Sequence, residues 1–161
     1  MDDTPFKLGK IVSNLQALEC ILRMILKNAN GEVTLTKYYN LKVNDEVIED
    51  SFTNYDTLSQ LIRKYNSLVS VVDRTLCISD EVVFFRDVIA HGRVFSMNPN
   101  PLNPYLLLKF DKPVNGKVKV TYSEEMNSDW YEKNNELTYK QLEVVIDGAK
   151  ALNLKAFGPI E

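Results

Sequence analysis

The sequence predicts a mainly α fold, an antiparallel helical bundle of four to five helices with a β-hairpin inserted before the last. Three observations carry this. Apolar residues recur at alternating steps of three and four in separate stretches, the mark of one helical stripe. An Asn115-Gly116 pair lies between two β-like runs, and this pair tolerates the positive φ of a tight hairpin turn. The 161 residues hold only two cysteines and an ordinary 45% of hydrophobic residues. One domain, residues 1–161, can therefore bury a core without disulfides.

The first helix is expected over 5–29. Thr4 offers a cap and Pro5 suits the first helical position, where its missing N–H costs nothing. Leu8, Ile11, Leu15, Leu18, Leu22 and Ile25 form its stripe, and Gly31 stops it. Cys20 reads as a small buried side chain. Glu19 and Arg23 lie four apart, which makes either a surface ion pair or a carboxylate placed to support Arg86 or His91. Residues 32–53 read as an irregular crossing, with a short strand over Val33–Tyr39 and a short helix near Asp45–Asp50. The acids there read as a solvated face.

The second helix is expected over 56–73, capped by Asp56, with Leu58, Leu61, Tyr65, Leu68 and Val72 inward. The third begins at Ser79-Asp80-Glu81, where acids suit the helix dipole. It continues almost wholly apolar through Ala90, so it should be central. His91 falls in its last turn, and Gly92 reads as a left-handed stop. Strands follow at Tyr105–Phe110 and Lys117–Tyr122, joined by Val114-Asn115-Gly116. Trp130 is placed in a connector as a core lid rather than a base-stacking platform. The last helix is expected to start at a capping box, Thr138-x-x-Gln141.

Composition excludes several functions. The net charge is −3 and the pI about 5.3, against the basic balance of proteins that coat DNA. Cys20 and Cys77 lack ligand spacing, so no metal or other cofactor is expected. The start of the chain lacks the layout of a signal peptide, and no apolar run reaches the ~18 residues of a membrane span. A cytoplasmic, reduced setting is expected.

The stretch with chemistry is Phe85-Arg86-Asp87-Val88-Ile89-Ala90-His91-Gly92-Arg93, which holds the single histidine. RNA cleavage without a metal needs a base for the 2′-hydroxyl proton, and a histidine titrates near working pH. It also needs a cation for the charge that builds on phosphate, and arginine brings a fork of donors. Positions five apart differ by about 140° around a helix, so a turn at Gly92 is expected to let Arg86 and His91 converge. Asp87, four before His91, is placed to orient the imidazole. The structural alternative is that His91 caps the helix and Arg86 makes an ion pair.

Arg86 to His91 resembles the Arg-x4–6-His motif of the HEPN (higher eukaryotes and prokaryotes nucleotide-binding) superfamily. The run Ile89-Ala90-His91-Gly92-Arg93 is similar to bacterial HEPN-like proteins. Leu15-x-x-Leu18-Glu19-x-x-Leu22-Arg23 and Thr57-Leu58-x-x-Leu61-Ile62 resemble them more loosely. The resemblance implies a helical bundle that pairs through the motif helices as a homodimer. It implies metal-independent endoribonuclease activity of the kind found in toxin–antitoxin, phage-defence and CRISPR systems. RNA would be the substrate, and a cognate antitoxin or nucleotidyltransferase-type protein a partner. Arg86 and His91 would be catalytic and Asp87 the polar residue after the arginine, with Glu19 and Arg93 supporting. The position of Asp87 is often Asn in the family. Two alternatives stand beside this: a non-catalytic module binding RNA, nucleotide or protein, and an immunity-type subunit whose acidic 45–50 segment meets a basic partner.

Overall fold

The computed structural model describes residues 4–31, 38–96 and 104–154. Four α-helices and a three-stranded antiparallel sheet occupy these residues: α1 (Thr4–Ala29), α2 (Leu58–Val69), α3 (Glu81–His91), β1 (Arg93–Ser96), β2 (Tyr105–Phe110), β3 (Val120–Met126) and α4 (Ser128–Ala151). The fold is thus helical with a small sheet, and the sheet has one strand more than the expected hairpin. The chain divides into two units. One holds residues 1–15 and 79–140, the other 16–78 and 141–161. Helices α1 and α4 contribute residues to both.

In the first unit, the sheet order is β1-β2-β3. Strand β1 pairs β2 with Arg93 opposite Leu108, and β2 pairs β3 with Lys109 opposite Tyr122. Strand side chains alternate between faces. Tyr105, Leu107 and Lys109 therefore share one face with Tyr122, Glu124 and Met126. That face receives α3, since Leu107 is buried and Lys109 sits over Phe84. The hairpin turn forms as expected, with Val114 bridged to Lys117 and positive φ at Asn115 and Gly116.

Helix α4 begins ten residues before the expected start. Asn127 caps it, its side chain accepting from the Trp130 N–H at 2.9 Å. Trp130 is buried as expected, but inside this helix rather than in a connector. Thr138 lies mid-helix. Its hydroxyl donates back to the Asn134 carbonyl at 3.0 Å and accepts from Asn14 of α1 at 3.1 Å. A buried threonine bonding back one turn shares its sequence signature with a cap.

In the second unit, α2 is shorter than expected. Its cap is Thr57, which forms a capping box with Gln60, and Asp56 lies just outside. Val69 takes the inward place expected of Leu68 and Val72, both of which are exposed. Tyr65 is fully buried, and its hydroxyl lies 3.1 Å from the Leu76 carbonyl and 3.3 Å from that of Val144. Burial pushes the Tyr65 phenol well above its usual range. A Cβ on Gly148 would fall 1.8 Å from that hydroxyl, which accounts for a glycine inside α4. Cys20 is exposed, contrary to expectation. It stands about 200° around α1 from buried Leu18.

The segment before α2 is fixed by polar contacts. Its short helix near Asp45–Asp50 does not form, and the strand placed over Val33–Tyr39 falls largely outside the described residues; Tyr38 and Tyr39 lie in a turn. Asp50 is no solvated acid. Its side chain is 7% exposed and pairs at 2.8 Å with Lys27, itself 4% exposed. The Tyr38 hydroxyl and the N–H groups of Phe52 and Thr53 also donate to this carboxylate. Arg23 donates to the carbonyls of Asn54 and Asp56, each at 2.8 Å. Removing one partner of a buried pair strands the other charge. Lys27→Met is expected to cost about 3–5 kcal/mol in urea denaturation. A loss below about 1 kcal/mol would mean that solvent screens the pair.

Candidate functional site

Helix α3 carries the site. Val82, Phe85 and Val88 are buried along its inner stripe. Phe85 packs against Trp130 with ring centroids 5.8 Å apart, and Phe84 meets Tyr122 at 6.1 Å. Arg86, Asp87 and His91 fall on the remaining, outward part of the helix. His91 is exposed, and no hydrogen bond or ion pair engages its imidazole among the described residues. Arg86 and Asp87 are partly exposed, with side chains 41% and 42% accessible.

The structure joins two of these residues and leaves the third apart. Arg86 Nη1 donates to Asp87 Oδ1 at 3.3 Å, so Asp87 holds the arginine rather than the imidazole. Arg86 and His91 are separated by roughly 7.5 Å along the helix and about 140° around it. Gly92 does not supply the expected left-handed turn. Its φ is −69° and ψ 164°, an extended conformation open to any residue. The reason for glycine there is space. A Cβ would stand 2.3 Å from the Val88 carbonyl oxygen and 2.6 Å from Leu107 Cδ1. The Gly92 N–H caps that same carbonyl at 2.8 Å. The helix therefore passes straight into β1.

Arg93 opens that strand and is exposed, its guanidinium 5.2 Å from the centre of the Phe110 ring. Glu19 belongs to the other unit, where its carboxylate accepts from Arg23 at 2.9 Å. This is the ion-pair alternative of the sequence. Among the described residues no cluster of three His, Cys, Asp or Glu can hold a metal ion, and no helix is long and apolar enough to cross a membrane.

Sequence reasoning missed the polar support beneath α3. Trp130 Nε1 donates to the Tyr122 hydroxyl at 2.7 Å, and that hydroxyl donates to Glu124 at 2.8 Å. Alternation along β3 places Tyr122 and Glu124 on one face, but the strand's register with β2 is invisible in the sequence. Burial raises the Tyr122 phenol to about 12, with Trp130's donation pulling the other way and Glu124 adding to the rise.

Two outcomes follow from this geometry. Gly92→Ala should destabilise the protein by about 1–3 kcal/mol in urea denaturation, because backbone stands where the methyl would go. A change under about 0.5 kcal/mol would show that the approach constrains nothing. The Tyr122 value in the folded state exceeds the ~10 of an unfolded chain. Its contribution to stability is thus complete below about pH 10 and falls away as pH climbs toward 12. Tyrosinate absorbance should show late-ionising phenols, of which Tyr122→Phe removes one and leaves that of Tyr65. An unchanged titration curve would refute the assignment.

No protein-family model, curated protein or solved structure matches the chain, so the functional reading rests on these side chains.

Proposed function

We propose that this protein is a metal-independent endoribonuclease of HEPN type that acts as a homodimer in the cytoplasm. The helices then belong to an antiparallel bundle of that type, with the sheet appended before the last helix. The observation that carries the reading is the outward, solvent-reachable placement of Arg86 and His91 on one helix whose inner stripe is buried. Burial in the core would have removed both from any substrate.

The chemistry assigns each residue a task. His91 takes the proton from a 2′-hydroxyl as that oxygen attacks phosphorus. Arg86 binds the phosphate oxygens on which negative charge accumulates. Asp87 keeps Arg86 in place until RNA arrives. A pair at 3.3 Å with both partners over 40% exposed is weak, about 0–1 kcal/mol, so a phosphate can displace it. Because Arg86 and His91 diverge around the helix, one copy presents them in different directions. Two copies related by a two-fold axis would set Arg86 of one beside His91 of the other. The second histidine would also supply the proton for the departing 5′-oxygen. A toxin–antitoxin or phage-defence role, with a cognate protein that restrains the enzyme, follows from the same reading.

The test is cleavage of single-stranded RNA by the purified protein in EDTA. Loss of the base or of the phosphate clamp should lower the rate at least about 100-fold in His91→Ala and Arg86→Ala. Mixing the two inactive variants should restore part of the activity, since a heterodimer keeps one intact Arg86/His91 pair, with water replacing the second histidine as the proton source. Equal rates in all three proteins would end the nuclease reading, and failure of the mixture would end the composite site.

A further inference from the structure

The hairpin between β2 and β3 has no part in the chemistry above, and its charge sets it apart. Residues 105–122 contain Lys109, Lys112, Lys117 and Lys119 against the single acid Asp111, in a chain whose net charge is −3. Every residue from 111 to 120 is exposed. None of Lys112, Lys117 and Lys119 has an ion-pair partner among the described residues. The arm nevertheless has a fixed backbone. The Asp111 N–H donates to the Lys119 carbonyl at 2.8 Å, and the Val114 N–H to that of Lys117 at 2.8 Å. The acids of β3, Glu124 and Glu125, lie toward its far end, opposite Leu107 and Leu106.

The register puts this arm beside α3. Arg93 opposes Leu108 in an antiparallel pair, so the chain leaves His91 at the end of the sheet where the arm begins. Two contacts fix the base of the arm. Lys109 Nζ lies 5.2 Å from the Phe84 ring on one face, and Arg93 lies over Phe110 on the other. Phe84 precedes Arg86 by two residues. A lysine on an edge is a common guard against strand pairing. Four on one hairpin, with Arg93 over its base, exceed that need and give the arm a local excess of positive charge.

We propose that the β2–β3 hairpin is an arm that grips the phosphate backbone of single-stranded RNA and delivers it to α3. Phosphate charge is the complement of this surface, and lysine binds it as a point charge. Lys117 and Lys119 are two positions apart just before β3, a spacing of up to roughly 7 Å in extended backbone, which lets each meet its own phosphate. A single strand is favoured over a duplex because in-line attack by a 2′-hydroxyl needs a nucleotide free of helical stacking. The arm holds only the backbone, so binding is insensitive to sequence. That the polyanion is RNA rests on the nuclease reading. The binding itself does not.

The probe is a fluorescent, unstructured 2′-O-methyl RNA oligonucleotide, which lacks the attacking hydroxyl and stays intact. Its anisotropy is followed with the full-length protein over rising potassium chloride. The wild type should bind at low salt and weaken as salt rises. Lys112→Glu/Lys117→Glu/Lys119→Glu should bind at least ten-fold more weakly, and Lys112→Gln/Lys117→Gln/Lys119→Gln should lower the salt slope by about 2, at ~0.7 per contact. Both should keep the wild-type melting temperature within a few degrees, since the three side chains are exposed. Unchanged binding in the variants, or no binding by the wild type at low salt, would overturn the proposal. Equal competition by polyglutamate would reassign the arm to an acidic protein partner. A duplex preferred over the single strand would overturn the strandedness. Hairpin-dependent binding without any cleavage leaves this proposal standing and removes the nuclease. His91-dependent cleavage with unchanged binding in the lysine variants does the reverse.

Discussion

Gly92 has no side chain, and the unit that carries Arg86 and His91 depends on that vacancy. The last turn of α3 and the central strand β2 close on this residue from two sides, Val88 through its carbonyl and Leu107 through its side chain. Any Cβ would force them apart. Because they touch, the helix continues into β1 without a loop, and β1 is bound to pair beside β2. The pairing sets Arg93 opposite Leu108, which in turn brings Phe110 under the guanidinium. One close approach thus fixes where His91 ends, where Arg93 begins and which end of the sheet faces the site. Interiors are packed densely enough that a single methylene is felt at such a point.

The two units solve the same problem with different chemistry. Around α3 the support is aromatic, with Phe84, Phe85, Tyr122 and Trp130 in contact and two ring-polar bonds fixing Tyr122. In the other unit an irregular segment precedes α2, and its backbone groups need partners that no ladder supplies. Asp50 accepts from the N–H groups of Phe52 and Thr53, while Arg23 takes the carbonyls of Asn54 and Asp56. Lys64 donates to Asp56 at 2.6 Å, and this bond is the largest reason its carboxyl sits below the usual range, against a smaller opposing effect of burial. Charged side chains on α1 and α2 thus hold a segment whose Val43, Val47 and Ile48 side chains stay exposed.

What the sequence disclosed divides along physical lines. Local signals were legible. The apolar stripe of α1, the acid-rich start of α3 and the Asn115-Gly116 turn each arise from residues within a turn or two of one another. Signals shared by two structures misled. Thr138-x-x-Gln141 fits a cap and equally a threonine bonding back inside a helix, and only Asn127 decides where α4 begins. Long-range facts were silent. Nothing local announces that Asp50 will meet Lys27 twenty-three positions earlier, or that Arg93–Ser96 will become a strand by pairing with β2. At the site, the divergence of Arg86 and His91 around the helix followed from helical period alone. The partner of Asp87 and the purpose of Gly92 did not, because both depend on which neighbours the tertiary fold supplies.

Net charge is a poor guide to whether such a molecule meets a polyanion. At physiological salt an exposed charge is felt over about 8 Å, so distant acids count for little against nearby lysines. The acids of β3 gather opposite Leu106 and Leu107, away from the turn, and the lysines gather toward it. This separation gives the sheet a positive end, and the register makes it the end from which α3 departs. An RNA strand drawn to it would be weakly held overall, since only a few phosphates are engaged and the rest of the surface repels. On the proposed nuclease reading, weak, local capture would suit product release and would place the demand for precision on Arg86 and His91 rather than on the arm.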